Sequence, residues 1–239
     1  MLHGKKRIIR NVAENDVFGN THTYERLIGM EGNAILTLLD VLEREYADAV
    51  CALNFSNPFE LLVSTILSAQ CTDKQVNKIT EKLFKGFSSP EDFASLTPEE
   101  LEPHIMSCGF YKNKARNIVL TSRALLDRFG GVVPRTMEEL TSLPGVGRKT
   151  ANVVLSNAFG QDAIAVDTHV FRVTNRLGLV QAKTPEETER QLMERLPQEK
   201  WSQAHHWLIW HGRQICHARK PECARCPVSF WCEYPGKAE

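Results

Sequence analysis

The 239-residue chain is long enough for one large domain or two modest ones with a proper core. Lysine plus arginine balance aspartate plus glutamate at 29 each, so net charge gives no support for nucleic-acid binding, and any such surface has to be a local patch. No apolar run reaches the ~20 residues that span a bilayer, and the basic opening MLHGKKRIIRNVAEND lacks the apolar stretch of a secretory signal, so the reading is a cytosolic chain with reduced thiols.

Residues 1–30 show little hydrophobic periodicity and read as a flexible leader. From Gly32 the pattern turns helical, with Ile35, Leu38, Leu39 and Leu42 on one stripe. Helix starts then recur with recognisable chemistry. Asn57-Pro58 and Ser89-Pro90 each pair a capping residue with a first-turn proline. Thr97 with Glu100, Thr136 with Glu139 and Thr184 with Glu187 each fit a capping box. The best strand candidate is Ala163-Ile164-Ala165-Val166, too short to found a sheet. The expectation is an all-α chain of about ten helices with short connections. Tryptophans and four of the seven cysteines concentrate beyond residue 200, which suggests a second module.

Those four, Cys216, Cys223, Cys226 and Cys232, are spaced C-x6-C-x2-C-x5-C. Thiols so close together in a reducing compartment imply a metal centre. Structural zinc usually takes its ligands as two close pairs, and only Cys223 and Cys226 form one; the looser outer spacings suit an iron–sulfur cubane. Spacing alone leaves both open. Arg213, His217, Arg219 and Lys220 surround the first ligand and could meet phosphates. Cys51, Cys71 and Cys108 read as small buried apolar groups.

Between two helical patterns lies LPGVGRKTANVV, residues 143–154. Pro144, Gly145, Val146 and Gly147 make a tight turn whose uncovered amides, with the helix start at Arg148, can hold a phosphate. This is the form of a helix-hairpin-helix, which grips a DNA backbone without reading sequence. A P-loop needs wider glycine spacing and a preceding strand. Lys149 falls in the first helical turn, where the dipole and partial burial would both disfavour an ammonium and favour a nucleophile; a simple phosphate contact is the alternative. Asp167 opens the segment VDTHVFRV, either as an N-cap or as a carboxylate aimed into a cleft. Thr168 and His169 follow it. His169, like the His205-His206 pair, reads as structural.

Taken together, LPGVGRKTANVV, VDTHVFRV, LSAQCTD and the cysteine cluster resemble the endonuclease III family, bifunctional DNA glycosylase/lyases of the helix-hairpin-helix–Gly-Pro-Asp superfamily. The likeness runs from about residue 31 to 235. It implies two helical domains flanking a DNA cleft. One is a six-helix barrel over 51–161 with the hairpin at about 137–156. The other joins 31–50 to 162–239 and ends in a cluster loop at 216–232. It implies Lys149 as nucleophile, Asp167 as essential carboxylate, and a [4Fe–4S] cluster on the four cysteines. It also places Pro144, Gly145, Val146, Gly147, Arg148, Thr168 and His169 at the DNA. Gln70 fills the gap left by an extruded base, and Phe110 stands where the family carries an apolar wedge, more commonly leucine. A monovalent cation on hairpin carbonyls fits the same likeness. The implied partner is duplex DNA with damaged bases or abasic sites, met by a monomer in a bacterial-type cytoplasm at the nucleoid.

Overall fold

The computed structural model describes residues 32–237; the leader expected over 1–30 lies outside them. The described residues form eleven α-helices, three short 3-10 turns and no strand. In chain order the helices are α1 Gly32–Glu45, α2 Pro58–Ser68, α3 Asp73–Leu83, α4 Pro90–Ala94, α5 Pro98–Ile105 and α6 Tyr111–Phe129. There follow α7 Met137–Thr141, α8 Arg148–Phe159, α9 Thr168–Arg176, α10 Pro185–Arg195 and α11 Trp201–Gln214. None is long and apolar enough to cross a membrane.

Local chemistry sets the starts. Asn57 and Thr72 cap α2 and α3 through side-chain oxygens. Thr97 and Glu100 close a full capping box on α5, and Ser89 with Asp92 does the same on α4. Thr136 and Thr184 also cap, but their glutamates turn elsewhere. The Glu139 carboxylate accepts from the Thr136 hydroxyl, and that of Glu187 accepts from the Lys183 N–H.

Two hydrophobic cores result. The first gathers α2 to α8 around α2, whose residues Phe59 to Leu67 are all buried. A helix buried on every side has to be central. Each fully buried leucine there contributes about 2 kcal/mol. The second core packs α1, α9, α10 and α11 with the cluster loop. The chain thus starts in the second core, builds the first, and returns.

The return passes through the strand candidate. Residues 163–166 are extended but pair with no other strand; instead, Ala163 and Ala165 enter the first core while Ile164 and Val166 enter the second. The period-two alternation is real, and side chains replace the missing ladder. Asn152 Nδ2 donates to the Ile164 carbonyl at 3.0 Å and Ser202 Oγ to that of Gln161 at 3.0 Å. The His205 Nδ1 lies 2.6 Å from the Ala165 carbonyl. A carbonyl only accepts, so this nitrogen carries the proton.

Candidate active site and cluster loop

The hairpin is α7, a turn, and α8. Val146 is buried while Gly145 and Gly147 face outward. Gly145 has φ +74, and a Cβ there would lie 2.6 Å from Asn117 Nδ2 and 2.7 Å from Asn117 Cβ on α6. Only glycine combines that handedness with that approach. Thr121, also on α6, donates to the Pro144 carbonyl at 2.5 Å. Gly147 is the N-cap of α8 and offers no side-chain cap, so the first amides of α8 have only the helix's outer end to face. An anion-accepting helix start is the chemical consequence.

Lys149 sits in that first turn. It is exposed, contrary to the partial burial expected from its motif. The chain reaches Asp167 along the extended strap. Asp167 is the N-cap of α9: its Oδ1 accepts from His169 N–H and Val170 N–H, each at 2.8 Å. The capping bonds use one oxygen, and Asp167 also lines the cleft.

Two adjoining cavities share Lys149 and Asp167. The outer one, about 1070 Å³, is polar and is also lined by Gln70, Lys74, Thr168 and His169. The inner one, about 540 Å³, runs between the two cores, past Cys51, Asn157, His205, His206 and Trp210. Asp73 and Arg213 border both, joined by an ion pair of 2.6 Å that bridges the cores. Phe110 and residues 144–148 are not part of either lining. Phe110 is nevertheless exposed, and both it and Gln70 hold left-handed backbones at φ 57 and φ 51. Non-glycine residues in that region cost about 1–3 kcal/mol each and cluster where function requires the geometry.

Arg148 was expected at the DNA. Its Nε and Nη2 instead bond both oxygens of buried Glu189 on α10, each at 2.8 Å. Bidentate pairing of this kind fixes orientation. It ties the first turn of α8 to the second core, a link carried by no local sequence signal. Burial and then the neighbouring His206 drive His205 well below the ordinary imidazole value, and burial alone takes His206 to about 4. His206 Nε2 donates to Asn157 Oδ1 at 3.0 Å, while His169, lowered chiefly by burial, contacts Arg172 at 3.1 Å. Adjacent histidines were the one visible signal for the inner cavity.

Cys216, Cys223, Cys226 and Cys232 surround one recess of about 290 Å³, closed by Leu177, Ile215 and Tyr234. No three His, Cys, Asp or Glu side chains among the described residues gather closely enough for a single metal ion. Four thiols around one apolar recess are a donor set that fits an iron–sulfur cluster. Arg176 donates to Cys216 Sγ at 3.4 Å and to the His217 carbonyl at 2.7 Å, and stacks 4.1 Å over Tyr234. Arg172 holds the Cys216 and Gly212 carbonyls at 3.0 and 2.9 Å. Of the basic ring around Cys216, Arg213 and His217 are paired with Asp73 and Glu222, while Arg219 and Lys220 are exposed.

Comparison with known proteins follows the same outline. The family profile described as HhH-GPD superfamily base excision DNA repair protein matches residues 63–198, and the iron-sulfur binding domain of endonuclease III matches residues 216–232. Endonuclease III of Bacillus subtilis (strain 168) is 51% identical over 195 residues, covering 81% of this chain and 89% of its own. That of Escherichia coli (strain K12) is 46% identical over 204 residues, covering 85% and 97%. A solved trapped endonuclease III–DNA covalent intermediate matches with TM-score 0.82 at 48% identity, covering 85% of this chain and 96% of that one. A non-covalent endonuclease III–DNA complex matches equally well.

Proposed function

The chain belongs to the endonuclease III family of HhH-GPD base excision DNA repair proteins, and from that premise we propose that Lys149 is its nucleophile and Asp167 its essential carboxylate. It is a DNA glycosylase with AP lyase activity, it binds DNA, and it carries a [4Fe–4S] cluster. The observation behind the assignment is that Lys149 and Asp167, from different cores, line both the outer cleft and the inner cavity. The sugar would then lie at the junction, with its base inside and its phosphates outside.

Oxidised pyrimidines stack weakly and leave the duplex at lower cost than intact bases. Gln70 and Phe110 occupy the vacated space and favour the kinked duplex. The amides at Gly145, Gly147 and the start of α8 hold a phosphate, with hairpin carbonyls available to a monovalent cation. Thr168 and His169 meet the DNA from the α9 side. Asp167 stabilises positive charge on the sugar as the glycosidic bond lengthens, and helps Lys149 lose its proton. Lys149 Nζ attacks the anomeric carbon, the base departs, and a Schiff base forms. The iminium withdraws electrons, a proton leaves the adjacent carbon, and β-elimination breaks the strand on the 3′ side. The cysteines 216, 223, 226 and 232 hold the cluster, which supplies cross-linking of the loop and takes no part in bond breaking. We assign one domain to 51–161 and the other to 31–50 plus 162–239, with Ala163 and Ala165 reaching back into the first core, and the protein acts as a monomer.

Borohydride should trap a covalent complex with a lesion-bearing oligonucleotide, and Lys149→Ala should abolish it. An adduct that persists in the variant removes Lys149 from this role.

A further inference from the structure

Cys71 and Cys108 stand apart from the cluster and from the chemistry above, yet their sulfurs touch, Cys108 Sγ donating to Cys71 Sγ at 3.6 Å. Their positions matter more than the contact. Cys71 directly follows Gln70, and Cys108 precedes Phe110 by two residues. The two non-glycine left-handed residues of the first core are therefore carried by the two loops that these thiols join. The loops meet elsewhere as well. Gln75 Nε2 donates to Ser107 Oγ at 2.9 Å, a Cβ on Gly109 would sit 3.5 Å from the Gln70 carbonyl, and buried Lys114 holds the Leu67 carbonyl at 2.8 Å.

We propose that Cys71 and Cys108 are a peroxide-sensitive pair whose oxidation cross-links the Gln70 and Phe110 loops and weakens the grip on DNA. Cys71 is half-buried and lines the outer cleft, so it meets oxidant first. Cys108 is 2% exposed, and burial, then the neighbouring Cys71, raise its thiol above the ordinary value. That assigns it the second step.

A peroxide oxygen inserts at the Cys71 thiol to give a sulfenic acid, releasing water or an alcohol. The Cys108 sulfur attacks the Cys71 sulfur, the S–O bond breaks, and the hydroxyl leaves as water with the Cys108 proton. Two electrons pass from the two thiols to one peroxide, and a disulfide remains. A disulfide needs sulfurs about 2 Å apart, so they approach by roughly 1.5 Å. Gln70 and Phe110 then leave the positions from which they enter the duplex, and loss of one such contact should lower affinity for abasic-site DNA by about 10-fold. The bond itself does not depend on the glycosylase reading; the loss of affinity rests on Gln70 and Phe110 entering the duplex.

Cluster-loaded protein is treated with hydrogen peroxide while the cluster's visible absorbance is followed, then alkylated and digested without reductant. A peptide joining Cys71 to Cys108, two hydrogens lighter than its reduced halves, is expected in the wild type and absent in Cys71→Ser and Cys108→Ser. The oxidised wild type should bind an abasic-analogue duplex more weakly, dithiothreitol should restore it, and neither variant should respond to peroxide. No joined peptide while the cluster persists overturns the proposal. So does an equal loss in Cys108→Ser, which would place the damage elsewhere. A joined peptide with unchanged affinity removes the loops from DNA binding and leaves the Lys149 trapping result untouched, which separates the two failures.

Discussion

Gly145→Ala isolates what the hairpin turn requires. At φ +74 an alanine pays about 1–2 kcal/mol for a left-handed backbone. Its methyl would also stand 2.7 Å from Asn117 Cβ, an atom that cannot swing away because it is fixed to α6. Overpacking of that kind adds about 1–3 kcal/mol. The expected loss is about 2–5 kcal/mol, a fall in melting temperature of at least roughly 4 °C for a chain this size. Gly147→Ala is the matched control. Its φ is −94 and its Cβ would meet nothing within 4 Å, so stability should hold or rise slightly. Its methyl does, however, crowd the outward amides that hold phosphate in the proposed mode. Thermal melts and abasic-duplex titrations of both variants decide the matter. Gly145→Ala should lose stability and affinity together, Gly147→Ala affinity alone. If Gly145→Ala melts with Gly147→Ala, the packing against α6 is not what demands glycine.

Asp167→Asn keeps an oxygen for the His169 and Val170 amides, so melting should barely move while base release slows; Asp167→Ala should also lose the cap, about 1 kcal/mol. Equal base-release rates for wild type and Asp167→Asn in single-turnover assays would make the residue structural. Glu189→Gln leaves the Arg148 fork half-met. Because Arg148 is 52% exposed, the cost should be about 1 kcal/mol in urea unfolding, with a larger relative loss in borohydride trapping rate as the Lys149 turn loosens. A final test is pH. Burial keeps His206, and more strongly His205, neutral when folded, whereas the unfolded chain takes up protons near pH ~6.5. Stability is therefore whole above that value and falls as pH drops towards about 4, by roughly 1–2 kcal/mol per ring at pH ~5. His206→Phe should flatten the urea midpoint over that range; an unchanged slope would assign the pH dependence to other groups.

Helix starts were legible because capping is a contract among four consecutive residues: Asn57, Ser89, Thr97, Thr136 and Thr184 all cap, although of the three expected boxes only that of Thr97 closes, Glu139 and Glu187 taking other partners. The cysteine spacing was legible for the same reason. The Ala163–Val166 stretch was rightly set aside as too short to found a sheet, but its alternation reports only that two faces differ. It does not say whether the partners are strands or, as here, two helical cores with Asn152, Ser202 and His205 serving the carbonyls. The Arg148 pairing could not be foreseen because Glu189 lies forty-one residues downstream and reaches it only through the packing of α10. Beyond the adjacent His205 and His206, which read as structural, nothing in the sequence marked the inner cavity, because Cys51 and Trp210 lie far apart along the chain.

The proposed pair of reacting groups is divided between the cores, so its geometry depends on the ties that cross the cleft. Lys149 belongs to the first core, but its turn is anchored to the second through Arg148 and Glu189. Asp167 belongs to the second, but the strap before it is held by Asn152 from the first core and His205 from the second. Beyond Asp167, α9 runs about 13 Å to Arg176. Along its second half, Arg172 and Arg176 bond the Cys216 and His217 carbonyls and the Cys216 sulfur of the cluster loop. The four-thiol loop thus fixes one end of the rod whose other end carries the carboxylate. In the proposed mode the cluster acts on catalysis through position alone, and loosening the loop should disturb Asp167 before it disturbs the hairpin.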